Sequence, residues 1–202
     1  MSDHYYSAQP QSDHRYAPCA YAYRGIEARF VTDAGVFSRG EVDRGTDALL
    51  NALPADLAGR VLDVGCGWGA IGVTVGKRYP ACAVTMCDIN QRAVELARQN
   101  ARANGVDAQV IASDGLAQVE GTFDVILTNP PIRAGKQVIY GIFAAARRQL
   151  SPGGALYLVI RKQQGADSAV KYLKTLFSNV ETIERSGGFH VIRCREEQND
   201  AI

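Results

Sequence analysis

A glycine cluster, Val61-Leu62-Asp63-Val64-Gly65-Cys66-Gly67-Trp68-Gly69, closes one predicted strand and opens a helix. Glycines at such a turn permit the tight bend and let the backbone approach a ligand with no Cβ in the way. Asp88 follows the next predicted strand, where a carboxylate accepts both ribose hydroxyls of an adenosine. Ile89 offers adenine an apolar face, and Asn90 caps the helix that follows. Ser113-Asp114-Gly115 ends a third strand and places a carboxylate where an adenine amino group donates. Such a set takes NAD or S-adenosylmethionine, and Gly65-x-Gly67-x-x-Ala70 also fits the dinucleotide fingerprint. Asp63 favours the sulfonium cofactor, because an acid two residues before the first glycine suits a cationic amino-acid end and repels pyrophosphate. The competing readings are structural: a glycine turn that binds nothing, a helix-start carboxylate at Asp88, and a turn or cap at Asp114.

Thr128-Asn129-Pro130-Pro131-Ile132 follows a fourth predicted strand, facing the glycine loop across the switch of a doubly wound sheet. Consecutive prolines fix φ and carry no N–H, so only carbonyl acceptors point outward. Asn129 adds a side-chain carbonyl. The Asn129 side chain and the Pro130 carbonyl form a pair of acceptors for a planar NH2 group. Two hydrogen bonds turn that nitrogen's lone pair out of ring conjugation and toward an incoming methyl cation equivalent. This is orientation, not acid–base catalysis. No strong base is needed, since the proton becomes acidic once the methyl has arrived.

The elements that hold these residues are legible in the apolar spacing. Arg60–Val64, Ala83–Cys87, Gln109–Ala112, Phe123–Thr128 and the all-apolar Ala155–Ile160 read as strands. Helices alternate with them: from the glycine turn to Tyr79, then Asn90–Asn104, Lys136–Leu150 and Ala166–Phe177. Alternating units imply a parallel, doubly wound α/β sheet with helices on both faces. A last hairpin, Val180–Arg185 and Phe189–Arg195 turned at Gly187-Gly188, adds one antiparallel strand. Upstream, the first twenty residues, with His4, Tyr5, Tyr6, Pro10, His14, Tyr16 and Pro18, read as an irregular arm. Tyr21 to Phe37 reads as two short strands around Arg24-Gly25, and Asp43 to Leu53 as a helix stopped by Pro54. The expected organisation is an N-terminal arm, hairpin and helix over residues 1–54, packed on a main domain over 55–202.

Composition narrows the class. The 202 residues carry a net charge of +1, with 47% hydrophobic and 21% charged, which excludes disorder as the main state. The longest aliphatic run, Ala155–Ile160, is far short of the ~18 residues that span a bilayer. Met1 is followed by neither a charged nor an apolar signal region, so export is not expected. Five cysteines without a C-x-x-C pair suit a reducing cytoplasm and argue against a disulfide framework or a bound metal. A near-neutral chain needs a local basic patch to bind nucleic acid. Arg39, Arg44, Arg133, Lys136, Arg161 and Lys162 concentrate near the predicted strand C-termini, where ligands of such sheets sit. Contacts from them to phosphate position RNA without reading it, and specificity comes from a base unstacked into the pocket. A solvated basic rim is the plainer alternative. Tyr5, Tyr6, Tyr16, Tyr21 and Tyr23 stack on bases or pack at an edge. Cys66 and Cys87 lie near the cofactor and pack as small apolar residues.

Taken together, Asp63-x-Gly65-x-Gly67-x-Gly69, Asp88, Ser113-Asp114 and Asn129-Pro130-Pro131 resemble class I S-adenosylmethionine-dependent methyltransferases acting on exocyclic or amide nitrogens. Three further stretches are similar to the ribosomal RNA small-subunit methyltransferase C group: Gly35-Val36-Phe37-Ser38 with Asp43-x-Gly45-Thr46, Asn129 through Lys136, and Arg161-Lys162-Gln163-Gln164-Gly165. The resemblance runs from about Tyr5 to Arg195. It implies a Rossmann-like, mostly parallel seven-stranded sheet over 55–202 and a guanine-N2 methyltransferase of 16S ribosomal RNA. The cofactor would be S-adenosylmethionine, held by Thr46, Asp63, Gly65, Cys66, Gly67, Asp88, Ile89, Ser113, Asp114 and Asn129. Asn129 and Pro130 would act on the amine, and Phe37, Arg39, Pro131, Ile132, Arg133, Lys136, Arg161 and Lys162 would meet the RNA. Larger members of the group carry two copies of the domain, and this chain reads as the catalytic copy alone. Many relatives have an aromatic where Ile132 stands, which leaves apolar contact but no stacking there; Phe37 is placed to supply the ring, unless it is a core residue of the hairpin. The expected partner is ribosomal RNA or the small subunit, met by a cytoplasmic monomer with no membrane contact. The alternatives are a protein glutamine N5-methyltransferase, a non-catalytic RNA-binding relative and, last, an NAD oxidoreductase, which leaves Asn-Pro-Pro unexplained.

Overall fold

The computed structural model describes residues 12–196 of the chain; His4, Tyr5, Tyr6 and Pro10 of the expected arm lie outside the described residues. Ala17–Tyr23 (β1) and Ile26–Thr32 (β2) pair antiparallel around Arg24-Gly25. The hairpin begins inside the stretch read as irregular and ends five residues before Phe37. Its period of two is carried by Cys19 and Tyr23 on one strand and by Ala28, Phe30 and Thr32 on the other. That signal was masked by Pro18, which is tolerated because β1 has a single partner strand. Residues 33–42 form a loop, and Arg44–Asn51 (α1) follows, N-capped by Asp43.

The main sheet comprises Gly59–Val64 (β3), Cys82–Asp88 (β4), Ala108–Ala112 (β5), Phe123–Thr128 (β6), Leu150–Arg161 (β7), Asn179–Ser186 (β8) and Phe189–Arg195 (β9). Their order is β5-β4-β3-β6-β7-β9-β8. β3 to β7 run parallel, and β9 lies antiparallel between β7 and β8. Ala70–Arg78 (α2), Gln91–Ala103 (α3), Lys136–Gln149 (α4) and Ala166–Leu173 (α5) cover the two faces. The doubly wound sheet with one antiparallel strand is the architecture that the sequence predicts. Two bounds differ. β7 starts at Leu150, with a register shift against β6, so the Ser-Pro-Gly-Gly stretch belongs to the strand. α5 stops at Leu173 rather than Phe177.

Consecutive residues of β3 serve opposite faces, as the pleat requires. Val61 joins the apolar cluster of the hairpin, α1, α2 and α3, whereas Leu62 joins that of α4 and α5. Each fully buried Leu or Phe, such as Leu49 or Phe143, contributes roughly 1.5–3 kcal/mol by leaving water. The chain leaves β3 toward the first face and β6 toward the second, so a topological switch lies between these neighbouring strands.

The hairpin is fastened to α3 by polar side chains. Asn100 bonds both the N–H and the C=O of Val31 (2.8 and 2.9 Å), and Asn104 does the same for Arg29 (3.1 and 2.7 Å). Two asparagines one helical turn apart thus satisfy the free edge of β2 as a neighbouring strand would. Asn100 also donates to Trp68 O at 2.8 Å, which ties the hairpin to the glycine loop.

Candidate functional site

A cavity of about 350 Å³ opens beyond the C-terminal ends of β3, β4, β5 and β6, at the switch. Gly65, Gly67, Asp88, Ser113, Asn129 and Phe37 are among the residues on its wall. This is where an open α/β sheet binds ligands.

One side is the glycine loop. Gly65 and Gly67 have φ of 70° and 55°, and a Cβ built on either meets no atom within 4 Å. The Asp88 carboxyl accepts Gly67 N–H at 2.8 Å and Asn90 N–H at 2.9 Å. Asp88 therefore holds the loop and the start of α3 together while presenting its oxygens at the cavity. Burial pushes its pKa up, against the pull of the Asn90, Gly67 and Ile89 amides. Ile89 and Cys66 add apolar wall, and Ser113 and the exposed Asp114 close the far end. Burial chiefly raises the Cys66 thiol well above its usual range, so it stands there as a neutral apolar group. Asn90 caps α3 as predicted, accepting from Arg92 and Ala93 N–H.

Asp63 departs from expectation. It is wholly buried under α2 and lines no part of the cavity. Its Oδ2 accepts Gly72 N–H at 2.9 Å, and its Oδ1 has no hydrogen-bond partner among the described residues. Burial, helped by the Asp88 charge, pushes its pKa up to about 7 against the Gly72 bond. A strand residue two places from Val61 points to the same face, into helix packing instead of the loop's ligand side. Asp63 positions α2 and does not reach the cavity wall.

The other side is the Asn-Pro-Pro corner. Asn129 Nδ2 donates to Asp43 Oδ2 at 2.6 Å and to Thr46 Oγ1 at 3.1 Å. Asp43 has no donor to offer through a carboxylate, so the nitrogen must face it and Oδ1 is left over. Among the described residues nothing donates to that oxygen. Pro131 O accepts Ala134 N–H, whereas no backbone N–H of the described residues reaches Pro130 O. The structure thus brings together the acceptors expected at Asn129 and Pro130.

Ile132 opens a 3-10 turn, Ile132–Ala134, its side chain packs on the apolar cluster of α4 and α5, and it is not among the residues on the cavity wall. Phe37, by contrast, lies outside the hairpin strands, is 41% exposed and lines the cavity. Its carbonyl and that of Ser38 accept the Trp68 indole N–H at 2.9 and 3.2 Å, which fixes the loop that presents its ring.

None of Arg39, Arg44, Arg133, Lys136, Arg161 and Lys162 lines the cavity. Arg133 and Lys136 follow β6, and Arg161 and Lys162 sit where β7 ends, so these four stand on the same end of the sheet. Arg161 lies over the Phe189 ring, 5.6 Å from its centroid, and Arg39 donates to Arg15 O at 2.7 Å. Of the tyrosines, Tyr23 is buried and bonded to Leu50 O, Tyr21 donates to Asp47, and Tyr16 is exposed and stacked on His14. Among the described residues no group of three His, Cys, Asp or Glu is placed to hold a metal ion, and no helix is long and apolar enough to cross a membrane.

Sequence reasoning missed Val36, Ser38, Val138 and Ile142 on the wall, and gave Asp43 no role at the corner. Val138 and Ile142 lie one turn apart on α4, a spacing indistinguishable from ordinary core facing. Asp43 was legible only as the start of a helix and as part of the Asp43-x-Gly45-Thr46 stretch.

The donor set suits an adenosyl group: an open glycine cradle, a carboxyl at the end of β4 and an apolar wall at Ile89. Residues 27–193 match the family model for the methyltransferase small domain. The uncharacterized protein YbxB of Bacillus subtilis is 38% identical over 200 residues, covering 97% of this chain and all of that one. The ribosomal RNA small subunit methyltransferase C of Hahella chejuensis is 41% identical over 167 residues, covering 79% of this chain and 48% of that one. The chain spans about half the length of the curated methyltransferase C relatives it matches. A 16S rRNA N2 methyltransferase of T. thermophilus, solved with AdoMet and guanosine, superposes with a TM-score of 0.82 at 26% identity, covering 93% of this chain and 52% of that one.

Proposed function

Because the chain belongs to the methyltransferase small domain family, we propose that it moves a methyl group from S-adenosylmethionine to an exocyclic amine of an RNA base, guanine N2 of small-subunit ribosomal RNA. Gly65, Cys66, Gly67, Asp88, Ile89, Ser113 and Asp114 would hold the adenosyl part. Bound there, S-adenosylmethionine supplies a methyl group activated by its sulfonium. The chain's own contribution is orientation. Asn129 Oδ1 and Pro130 O accept the two N–H bonds of the amine and aim its lone pair, and Phe37 gives the ring an apolar face. The nitrogen gains the methyl group and then sheds a proton to water, so no side chain has to act as a base. Arg133, Lys136, Arg161 and Lys162 meet phosphates at the mouth. The chain would work in the cytoplasm on ribosomal RNA or the small subunit, a substrate class that the names of the methyltransferase C relatives support.

The observation that carries this reading is the Asn129 amide nitrogen, already bonded to Asp43 and Thr46, so that only its oxygen remains for a ligand. The test offers methyl-labelled S-adenosylmethionine to purified ribosomal RNA, assembled small subunits and a protein fraction, followed by mass analysis of nucleosides and peptides. N2-methylguanosine in either RNA sample is the expected product. Label confined to glutamine N5 would make the chain a protein methyltransferase, and no label in any fraction would remove the catalytic reading.

A further inference from the structure

We propose that Asp43 is a positioning residue for the transfer: by gripping the Asn129 amide nitrogen it locks the Asn129 carbonyl oxygen toward the target amine. This rests on the function proposed above and adds a residue to it. As the N-cap of α1, Asp43 accepts Gly45 N–H at 3.1 Å and Thr46 N–H at 3.0 Å, one on each oxygen. Those two bonds complete an ordinary cap. The third, from Asn129 at 2.6 Å, comes from 86 residues away and has the short length of a charge-assisted bond. Thr46 Oγ1 takes the second N–H of the same amide.

With both of its N–H bonds taken, the Asn129 amide has one orientation. Flipped by half a turn, it would set its oxygen against a carboxylate and a hydroxyl oxygen. It would also present an NH2 to an NH2. Without Asp43 the two orientations are separated only by the weaker Thr46 bond, and a share of the molecules would repel the amine they should hold. The Asp43 charge also polarises the amide, which makes Oδ1 a stronger acceptor as the nitrogen beyond it becomes positive.

The fold brings Asp43 to this place by close packing. A Cβ on Gly45 would lie 2.9 Å from the Phe189 ring, so any larger residue would have to push that ring aside for the start of α1 to settle against β9. Gly45 and Thr46 are both buried in consequence.

Three variants separate this role from simple capping. Asp43→Ser still caps α1 but is too short to reach Asn129, and Asp43→Asn keeps an acceptor of the right length. Asp43→Ser is expected to lower kcat by about 10- to 100-fold, the scale on which small misplacements act, with KM and cofactor affinity unchanged. Asp43→Asn should recover most of that loss. In an Asn129→Ala background Asp43→Ser should cost nothing more, because the group it orients is gone.

A readout free of turnover accompanies these: the Asn129 side-chain amide signals in a ¹⁵N-labelled protein. In the wild type the two protons should be widely separated and slow to exchange with solvent. In Asp43→Ser they should converge and exchange faster. Unchanged amide signals, an undiminished kcat in Asp43→Ser, or an equal loss in the Asn129→Ala background would each overturn the proposal. A wild type that methylates nothing, yet shows the expected amide signals, would count against the proposed activity and leave the Asp43 grip standing.

Discussion

The glycine loop and the Asn-Pro-Pro corner face each other across one cavity but are fixed in different ways. The loop is held by Asp88, at the end of the adjacent parallel strand, so its shape comes with the sheet itself. The corner is held by Asp43 and Thr46, which arrive with the N-terminal hairpin and α1 from outside the sheet. A cradle built from adjacent strands survives changes elsewhere. A corner whose orientation depends on a docked segment couples the chemistry to how well that segment is seated.

Cutting each wall separately should give opposite phenotypes. Asn129→Ala is expected to cost turnover by about 10²–10³ or more, as loss of a transition-state hydrogen bond does, while calorimetric cofactor affinity stays within about twofold. Asp88→Ala should weaken cofactor binding by about 10- to 100-fold, since a buried charged acceptor of two N–H bonds is lost. If Asn129→Ala weakens the cofactor as much as Asp88→Ala does, the two walls are not separate devices.

Unseating the hairpin should reach the corner more than the cradle. Asn104→Ala leaves Arg29 N–H and C=O without their partner and, unlike Asn100→Ala, spares the Trp68 bond to the glycine loop. A stability loss of roughly 1 kcal/mol in denaturant unfolding is expected for hydrogen bonds at so exposed an edge. Turnover should fall more than cofactor affinity does, and equal losses would blur the comparison.

A separate, pH-dependent effect concerns Asp63, beneath the cradle. Its folded pKa, about 7, lies above the ordinary 3.8, so between those values the folded chain holds a proton that the unfolded chain has released. Its contribution to stability is fully present below pH 4 and is lost as the pH rises through 7. Asp63→Asn removes this dependence, so its Tm should gain on the wild type between about pH 5 and about pH 8. Asp88 is raised too and remains in both proteins, which leaves the difference to Asp63. A constant difference across that range would mean that Asp63 is already ionised without cost.

The same contrast explains what was legible in the sequence. Strand, glycine turn, helix and Asp88 are encoded by neighbours and alternation, and the structure places them as read. Asn129 and Pro130 were legible because two prolines leave carbonyls nothing else to do. Asp63 misled because its distance from the glycines is short in sequence, while the pleat turns it into the packing under α2. Ile132 stands off the cavity wall, where a 3-10 turn redirects the residue after the prolines. Asp43 stayed hidden because a bond across 86 residues leaves no local pattern.

The central claim is geometric, and a crystal structure with guanosine and the demethylated form of the cofactor tests it most directly. The exocyclic nitrogen of guanine should lie within about 3 Å of both Asn129 Oδ1 and Pro130 O, hydrogen-bond distance for an amine on two carbonyls. Guanosine seated with that nitrogen elsewhere, or Asn129 turned so that its nitrogen faces the base, would contradict it.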